Sequence, residues 1–99
     1  MNATDCTTME QVRSNVDAID RAIIDLLAQR FALMDTAARI KSTRGAVRDE
    51  ARKAQVIANA NVAAATAGLP DGLAPALWET LVEASIAYEL TVWDRRHRL

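Results

Sequence analysis

The chain has 99 residues, of which 51% are hydrophobic and 4% aromatic, with a formal net charge of −1 from 12 basic and 13 acidic side chains. A chain of this length supports one hydrophobic core, so residues 1–99 are expected to form a single domain. The balanced charge argues against a nucleic-acid binder, which needs an excess of cations to displace counterions from phosphate. The short basic run at 95–98 is interpreted as a solvated tail.

Cys6 is the only cysteine, so the chain cannot form an internal disulfide, and a reducing compartment is the simplest expectation. The N-terminal segment has neither a positive leader nor an apolar stretch that would mark export. Residues 54–70 carry no charge but are too polar to span a bilayer. These features together predict a soluble, cytoplasmic protein.

The first predicted helix opens at "TTMEQ", where Thr7 with Glu10, or Thr8 with Gln11, fits a capping box. It continues to about residue 43 without an internal glycine or proline. At about 1.5 Å per residue, this helix would be about 50 Å long, well beyond the average in globular proteins.

Two shorter helices follow. The second is predicted from about Asp49 to Ala67, with Gly68 in the position that commonly ends a helix. The third begins near Pro75, which suits a first helical turn, and continues to about Arg95. No period-2 alternation predicts a strand. The expected fold is all-α, with three helices, one of them very long, that form an intertwined homodimeric bundle, because two short helices cannot cover the long one.

Three cations interrupt the apolar arc of the first helix. A helix turns about 100° per residue, so Val12 and Arg30 lie on one line, and Lys41 falls within about 20° of it. Arg13 and Phe31 define a neighbouring line. The apolar residues around the first line are Val16, Ile19, Ile23, Leu26, Met34 and Ala37. Arg13 and Lys41 could extend their heads into water, but Arg30 is mid-helix, and burying it requires an anion.

The third helix shows a similar interruption. Its apolar stripe consists of Trp78, Leu81, Val82, Ile86, Val92 and Trp93. Ser85 and Glu89 fall within this stripe. Glu89 could pair with one of the cations, or it could stay protonated and donate a hydrogen bond. The first turn of the second helix adds Asp49, Arg52 and Lys53.

These residues predict a dry site that contains several cations, a hydroxyl and one carboxyl group. The pattern includes no metal-ligand cluster, no glycine-rich phosphate loop and no evident nucleophile or general base. It suits a small dianionic ligand, which the protein would orient and stabilise electrostatically without a cofactor or metal.

The sequence resembles the all-helical (type II) chorismate mutase family across nearly the whole chain. The matching segments are "VRSNVDAIDRAIIDLLAQRFALMDTAARIK", "VRDEAR" and "LWETLVEASIAYE". The resemblance implies an isomerase of the shikimate pathway and aromatic amino-acid biosynthesis, which converts chorismate to prephenate in a homodimer with shared sites. It implies that Arg13 crosses to the partner's site to bind one carboxylate, that Arg30 binds the other, and that Lys41 donates to the ether oxygen.

The same resemblance places Asp49 and Arg52 near the substrate hydroxyl and Ser85 against the substrate. Two positions depart from the family pattern. Lys53 replaces a glutamate that holds the substrate hydroxyl, and Glu89 replaces a glutamine that donates to the ether oxygen. Glu89 must be protonated to donate, so activity is expected to fall as pH rises.

Two other interpretations stay open. The segments "DCTTMEQVR" and "VWDRRHR" resemble isochorismate-pyruvate lyase, a relative in the same fold that serves salicylate and siderophore pathways, and the loss of the hydroxyl-binding glutamate suits that enzyme. A non-catalytic helical dimerisation or regulatory module is the more distant alternative, since such a module gains nothing from cations inside an apolar arc.

Overall fold

The computed structural model describes residues 2–98 and confirms the all-α fold class; no strand occurs in this range. The three α-helices are α1 (Met9–Ile40), α2 (Glu50–Thr66) and α3 (Leu73–Arg96), with short 3-10 turns at Ala3–Asp5 and Arg44–Ala46. Residues up to 33 and residues from 34 onward form two compact units, which are described separately. The single-domain expectation for residues 1–99 stays a prediction.

A reciprocal capping box starts α1. The Thr8 hydroxyl oxygen accepts from the Gln11 backbone N–H at 3.2 Å, and the Gln11 side-chain oxygen accepts from the Thr8 N–H at 3.2 Å and from the Thr7 N–H at 2.7 Å. The Thr8–Gln11 version of the predicted cap is therefore confirmed. The helix has 32 residues, which corresponds to a length of about 48 Å.

The predicted end of the first helix, at about residue 43, is wrong by three residues. The last helical bond joins the Lys41 N–H to the Ala37 carbonyl at 2.9 Å, and Thr43 is already extended. The chain leaves the helix here because Val47, only 4% exposed, must reach the core. Ser42 and Thr43 are also weaker helix formers than the residues before them, so local propensity favours an end at the same place.

The bounds predicted for the second helix are confirmed, and both of its ends are capped. Asp49 is the N-cap, and its Oδ1 accepts from the Arg52 N–H at 3.0 Å. At the other end Gly68 has φ +77°, and its N–H bonds the Ala65 carbonyl at 3.1 Å, while the Leu69 N–H bonds the Ala64 carbonyl at 3.0 Å. This pair of bonds is a Schellman motif, which needs a left-handed residue.

The third helix begins two residues before the expected position, with Gly72 as its N-cap and Pro75 in its first turn. The proline position is tolerated because the first-turn N–H groups have no helical acceptor. The core of residues 34–98 consists of Val47, Val82 and Ile86, against which Val56, Trp78, Leu90 and Trp93 pack. Helix α3 contributes most of these side chains. It therefore positions the segment that connects α1 to α2, whose Val47 packs in the same core.

Large apolar side chains on α1 are exposed in the single chain. At least 37% of the surface of each is accessible for Val12, Val16, Ile19, Ile23, Ile24, Leu26 and Leu33. A soluble monomer rarely leaves so many branched residues uncovered on one helix. The homodimer expected from the sequence stays a prediction.

Candidate active site

A buried ion pair joins the end of α1 to α3. The Lys41 ammonium donates to Glu89 Oε2 at 2.8 Å, and the side chain of Glu89 is 5% exposed, compared with 31% for Lys41. Lys41 directly follows the last residue of α1, where the unpaired carbonyl groups favour a positive charge. Of the two roles that the sequence left open for Glu89, pairing with a cation is the one that the structure shows.

Ser85 lies one turn before Glu89 on the same face of α3. It is 4% exposed, and its hydroxyl donates to the Leu81 carbonyl at 2.7 Å. The prediction that Ser85 and Glu89 lie within the apolar stripe of the third helix is confirmed, because Val82 and Ile86 beside them are also buried. Three predicted site residues, Lys41, Ser85 and Glu89, therefore occupy one region.

Two aromatic residues of α3 flank Glu89 and hold the end of α1. The Trp93 indole N–H donates to the Lys41 carbonyl at 3.1 Å. The Tyr88 hydroxyl donates to both Asp35 oxygens, at 2.9 and 3.1 Å, and this bond to a carboxylate raises the pKa of Tyr88. The last two turns of α1 are thus attached to α3 on both sides of the ion pair.

Asp49 and Arg52 have local partners in the structure. Asp49 caps α2 through the Arg52 N–H, and the Arg52 guanidinium donates to the Gln55 side chain at 2.7 Å. Asp49 therefore has a structural role as the cap of α2, and the contact with a substrate hydroxyl that the sequence predicted would be a second role. Because Arg52 is exposed, exchanging its bond to Gln55 for a ligand anion would cost little.

Lys53 belongs to an ion-pair network between α2 and α3. Its ammonium donates to Glu79 Oε1 and to Glu83 Oε2, each at 2.8 Å. Glu83 also accepts two bonds from Arg48, at 3.0 and 2.8 Å. Hydrogen bonds from Arg48 and Lys53 lower the pKa of Glu83 to about 2, and those from Glu79 and Glu83 raise the pKa of Lys53. The position where the resemblance implies an acceptor thus holds a cation that is paired with two carboxylates.

Arg13 and Arg30 lie on α1 within residues 2–33. Arg13 is exposed and Arg30 is half-buried. Each is in the helix position that the sequence predicted. Their roles toward a substrate, one of them across a dimer, stay predictions.

Sequence reasoning missed two features of this region. One is the acceptor pair for Lys53, although Glu79 and Glu83, four residues apart on one helix face, were a signal that could have been used. The other is the bond from Trp93 to Lys41, which the four-residue spacing from Glu89 to Trp93 would have suggested once Lys41 was paired with Glu89.

Comparison with protein families identifies the family of the chain. The family described as Chorismate mutase type II matches residues 12–90, and the chain therefore belongs to this family. Membership places it among isomerases that act on a small molecule. No curated protein matches the sequence. No helix within residues 2–98 has both the length and the apolar character that crossing a bilayer requires.

Proposed function

We propose that the protein is a chorismate mutase, which rearranges chorismate to prephenate without a cofactor, a metal or a covalent intermediate. The observation that carries the proposal is the pair of Lys41 and Glu89, buried at the end of a long helix, in a chain that belongs to this family. A Claisen rearrangement needs no nucleophile. It needs donors at the ether oxygen, where negative charge develops as the C–O bond breaks.

Lys41 and Glu89 would supply those donors. A protonated Glu89 can accept from the Lys41 ammonium through Oε2 and donate from its other oxygen to the substrate. The ammonium has three N–H groups, so one can hold Glu89 and another can reach the ether oxygen. Low exposure of Glu89 strengthens both interactions, since little water competes with them.

The remaining predicted residues would bind and orient the substrate. Arg30 would bind one carboxylate from the same subunit, and Arg13 would bind the other from the partner subunit. Arg52 would add positive charge at the mouth of the site, and Lys53 would offer the third N–H of its ammonium. Asp49 and Ser85 would contact polar groups of the substrate. Holding the substrate in its compact shape removes much of the entropic cost of reaching the transition state.

A homodimer with shared sites is part of this proposal. The exposed apolar residues of α1 support it, because a second copy of the same helix would cover them. The single cysteine, Cys6, fits a cytoplasmic enzyme. The proposed pathway is aromatic amino-acid biosynthesis.

Isochorismate-pyruvate lyase is the second candidate. It is favoured by the network at Lys53, where two carboxylates hold a cation in the position of the hydroxyl-binding glutamate. A site without that acceptor loses its hold on the chorismate hydroxyl. Isochorismate carries its hydroxyl elsewhere on the ring, so the loss of the acceptor at position 53 does not weaken its binding in the same way.

A non-catalytic helical module is the third interpretation. Desolvating Lys41 and Glu89 costs free energy that an apolar pair of similar volume would not cost, so a module selected only for packing gains nothing from them. The ion pair therefore favours an enzyme.

Product analysis tests these proposals. The purified protein would receive chorismate and isochorismate separately across a pH series, with Lys41→Met as a control of similar side-chain volume. Prephenate from chorismate, lost in Lys41→Met, is the expected result. Salicylate and pyruvate from isochorismate, with little prephenate, would establish the lyase instead. No turnover of either compound by the unchanged protein would contradict both enzymes and leave the non-catalytic module.

A further inference from the structure

The carbonyl of Lys41 lies just beyond the last turn of α1, where backbone acceptors have no helical donor. Its partner is the indole N–H of Trp93, at 3.1 Å. The side chain of the same lysine is bound by Glu89, one turn earlier on α3. Lys41 is therefore held at two points, its backbone by Trp93 and its ammonium by Glu89, from one face of a single helix.

The indole of Trp93 is itself fixed in place. One side packs against the core cluster that contains Val47, Val82 and Ile86. The His97 ring stacks on the indole with centroids 3.7 Å apart and planes 13° from parallel. His97 Nδ1 lies 2.8 Å from the Trp93 carbonyl, to which it donates when it carries the proton. A ring held by packing and stacking gives its N–H a defined direction.

The next residue of α3 holds the chain a little further along. Asp94 accepts from Arg44 through both oxygens, at 2.9 and 3.3 Å. Arg44 is three residues beyond Lys41, so two consecutive residues of α3 attach the segment that follows α1. Between Ile40 and Val47 the Trp93 bond is the one that holds the Lys41 backbone itself, because Glu89 holds only the Lys41 side chain and the Arg44 pair is exposed.

We infer that Trp93 is a positioning residue for Lys41: its indole N–H fixes the backbone from which the lysine reaches the ether oxygen. The inference rests on the proposed function, in which Lys41 acts in the transition state. A shift of the Lys41 backbone moves the base of the side chain, so the ammonium keeps its place only if the side-chain torsions leave their preferred values. A displacement of about 1 Å at a catalytic group can cost about a hundredfold in rate.

Trp93→Phe is the sharpest test, because phenylalanine keeps an aromatic ring on His97 and removes the N–H. The expected result is a kcat for chorismate about tenfold lower, with KM changed less than about twofold, since an interaction made only in the transition state is weakened. Trp78→Phe is the matched control. Trp78 lies on the same helix and packs against the same core cluster, and its variant should keep the parental kcat.

A double-mutant cycle separates positioning from a general loss of structure. In a Lys41→Arg background the cationic head is already displaced, so adding Trp93→Phe should lower kcat much less than it does in the parent. If Trp93→Phe does not fold, as judged by circular dichroism, His97→Ala takes its place. That variant keeps the indole N–H but removes the stacked ring, and a smaller fall in kcat is expected.

The outcomes are distinct. A parental kcat in Trp93→Phe, or in His97→Ala where that replaces it, would overturn the inference, and so would an equal fall in the Lys41→Arg background. Either result leaves the mutase proposal standing. Absence of prephenate from the unchanged protein would instead overturn the proposed function, and the role of Trp93 with it.

Discussion

Lys41 and Glu89 are 48 residues apart in the chain, and their side chains meet at 2.8 Å. The carboxyl group is almost fully enclosed, whereas the ammonium keeps part of its contact with solvent. Because of this difference in exposure, the two residues would contribute to the site in different ways. Lys41 supplies N–H donors from its ammonium, whereas Glu89 can donate a hydrogen bond only when it is protonated, so its protonation decides whether the site has one donor residue or two.

Glu89→Gln should change how the rate depends on pH. Glu89 donates only when protonated, and the protonated fraction falls as pH rises, so kcat of the parent should decline toward alkaline pH, by at most about tenfold per pH unit for a single proton. An amide donates at every pH, so the variant should have a flatter profile. The measurement is kcat for chorismate from about pH 5 to about pH 9.

Asp25→Asn is the control for this profile, because Asp25 is an exposed carboxylate on α1. It should keep the parental slope. A parental rate that is already flat from acid to mildly alkaline pH would contradict the protonated-donor mechanism.

Ile19→Glu should separate the proposed dimer. Ile19 is 59% exposed in the single chain, and a carboxylate there would be buried against a second copy of α1. Burying an unpaired charge costs several kcal/mol, which is enough to dissociate many dimers. Sedimentation equilibrium should show a shift to monomer, and activity should fall with it, because Arg13 would no longer reach the neighbouring site.

Arg21→Glu is the matched control, since Arg21 is also an exposed residue of α1 and lies on the face opposite the apolar arc. It should remain dimeric. A monomeric parent, or an Ile19→Glu variant as dimeric as the parent, would rule out this face as the interface.

The network around Glu83 should make the fold sensitive to acid. Bonds from Arg48 and Lys53 lower the pKa of Glu83 to about 2 from its ordinary value of 4.5. A carboxyl with a lowered folded-state pKa stabilises the fold above pH 4.5, and this contribution is lost as pH falls toward 2. Glu83→Gln should therefore lower the free energy of unfolding at neutral pH and have little effect near pH 2.

Urea unfolding at a series of pH values measures this effect. Glu10→Gln, a change of an exposed glutamate in the first turn of α1, serves as the control and should reduce stability less at neutral pH. Equal pH dependence in the two variants would show that the network contributes nothing particular.

Gly68→Ala should cost about 1 kcal/mol of stability, because its φ of +77° disfavours any residue with a Cβ. No neighbouring atom lies within 4 Å of where that Cβ would be, so the cost is conformational. Gly45→Ala, at a position with equal space and no left-handed backbone, should cost less. Thermal unfolding compares them, and kcat of both should match the parent. Equal losses would contradict the strained-backbone explanation.

The features that local sequence dictates were predictable. The cap at Thr8 and Gln11, the glycine end of α2 and the proline in the first turn of α3 each depend on residues within a few positions of one another. The burial of Ser85 and Glu89 followed from their place in an apolar stripe. The all-α class followed from the same helical periodicity.

Features that depend on how helices pack were not predictable. The stripe indicated that Glu89 could take a cation, but which cation reaches it depends on where α1 ends. That end lies at Ile40, after which weaker helix formers follow and Val47 enters the core. The spacing of Glu79 and Glu83 indicated a paired acceptor on one helix face, but the contact with Lys53 depends on how α2 packs against α3, 26 and 30 residues away in the chain.

The segment between α1 and α2 is attached at every third residue: the Lys41 carbonyl to Trp93, the Arg44 guanidinium to Asp94, and the Val47 side chain in the core. Exposed connections of this kind are where proteases usually cut. Arg44 and Arg48 are accessible to trypsin as side chains, but cleavage requires the backbone around them to detach from α3. The rate of tryptic nicking here therefore reports how often the segment that carries Lys41 is released, so susceptibility to a protease becomes a measure of the integrity of the site.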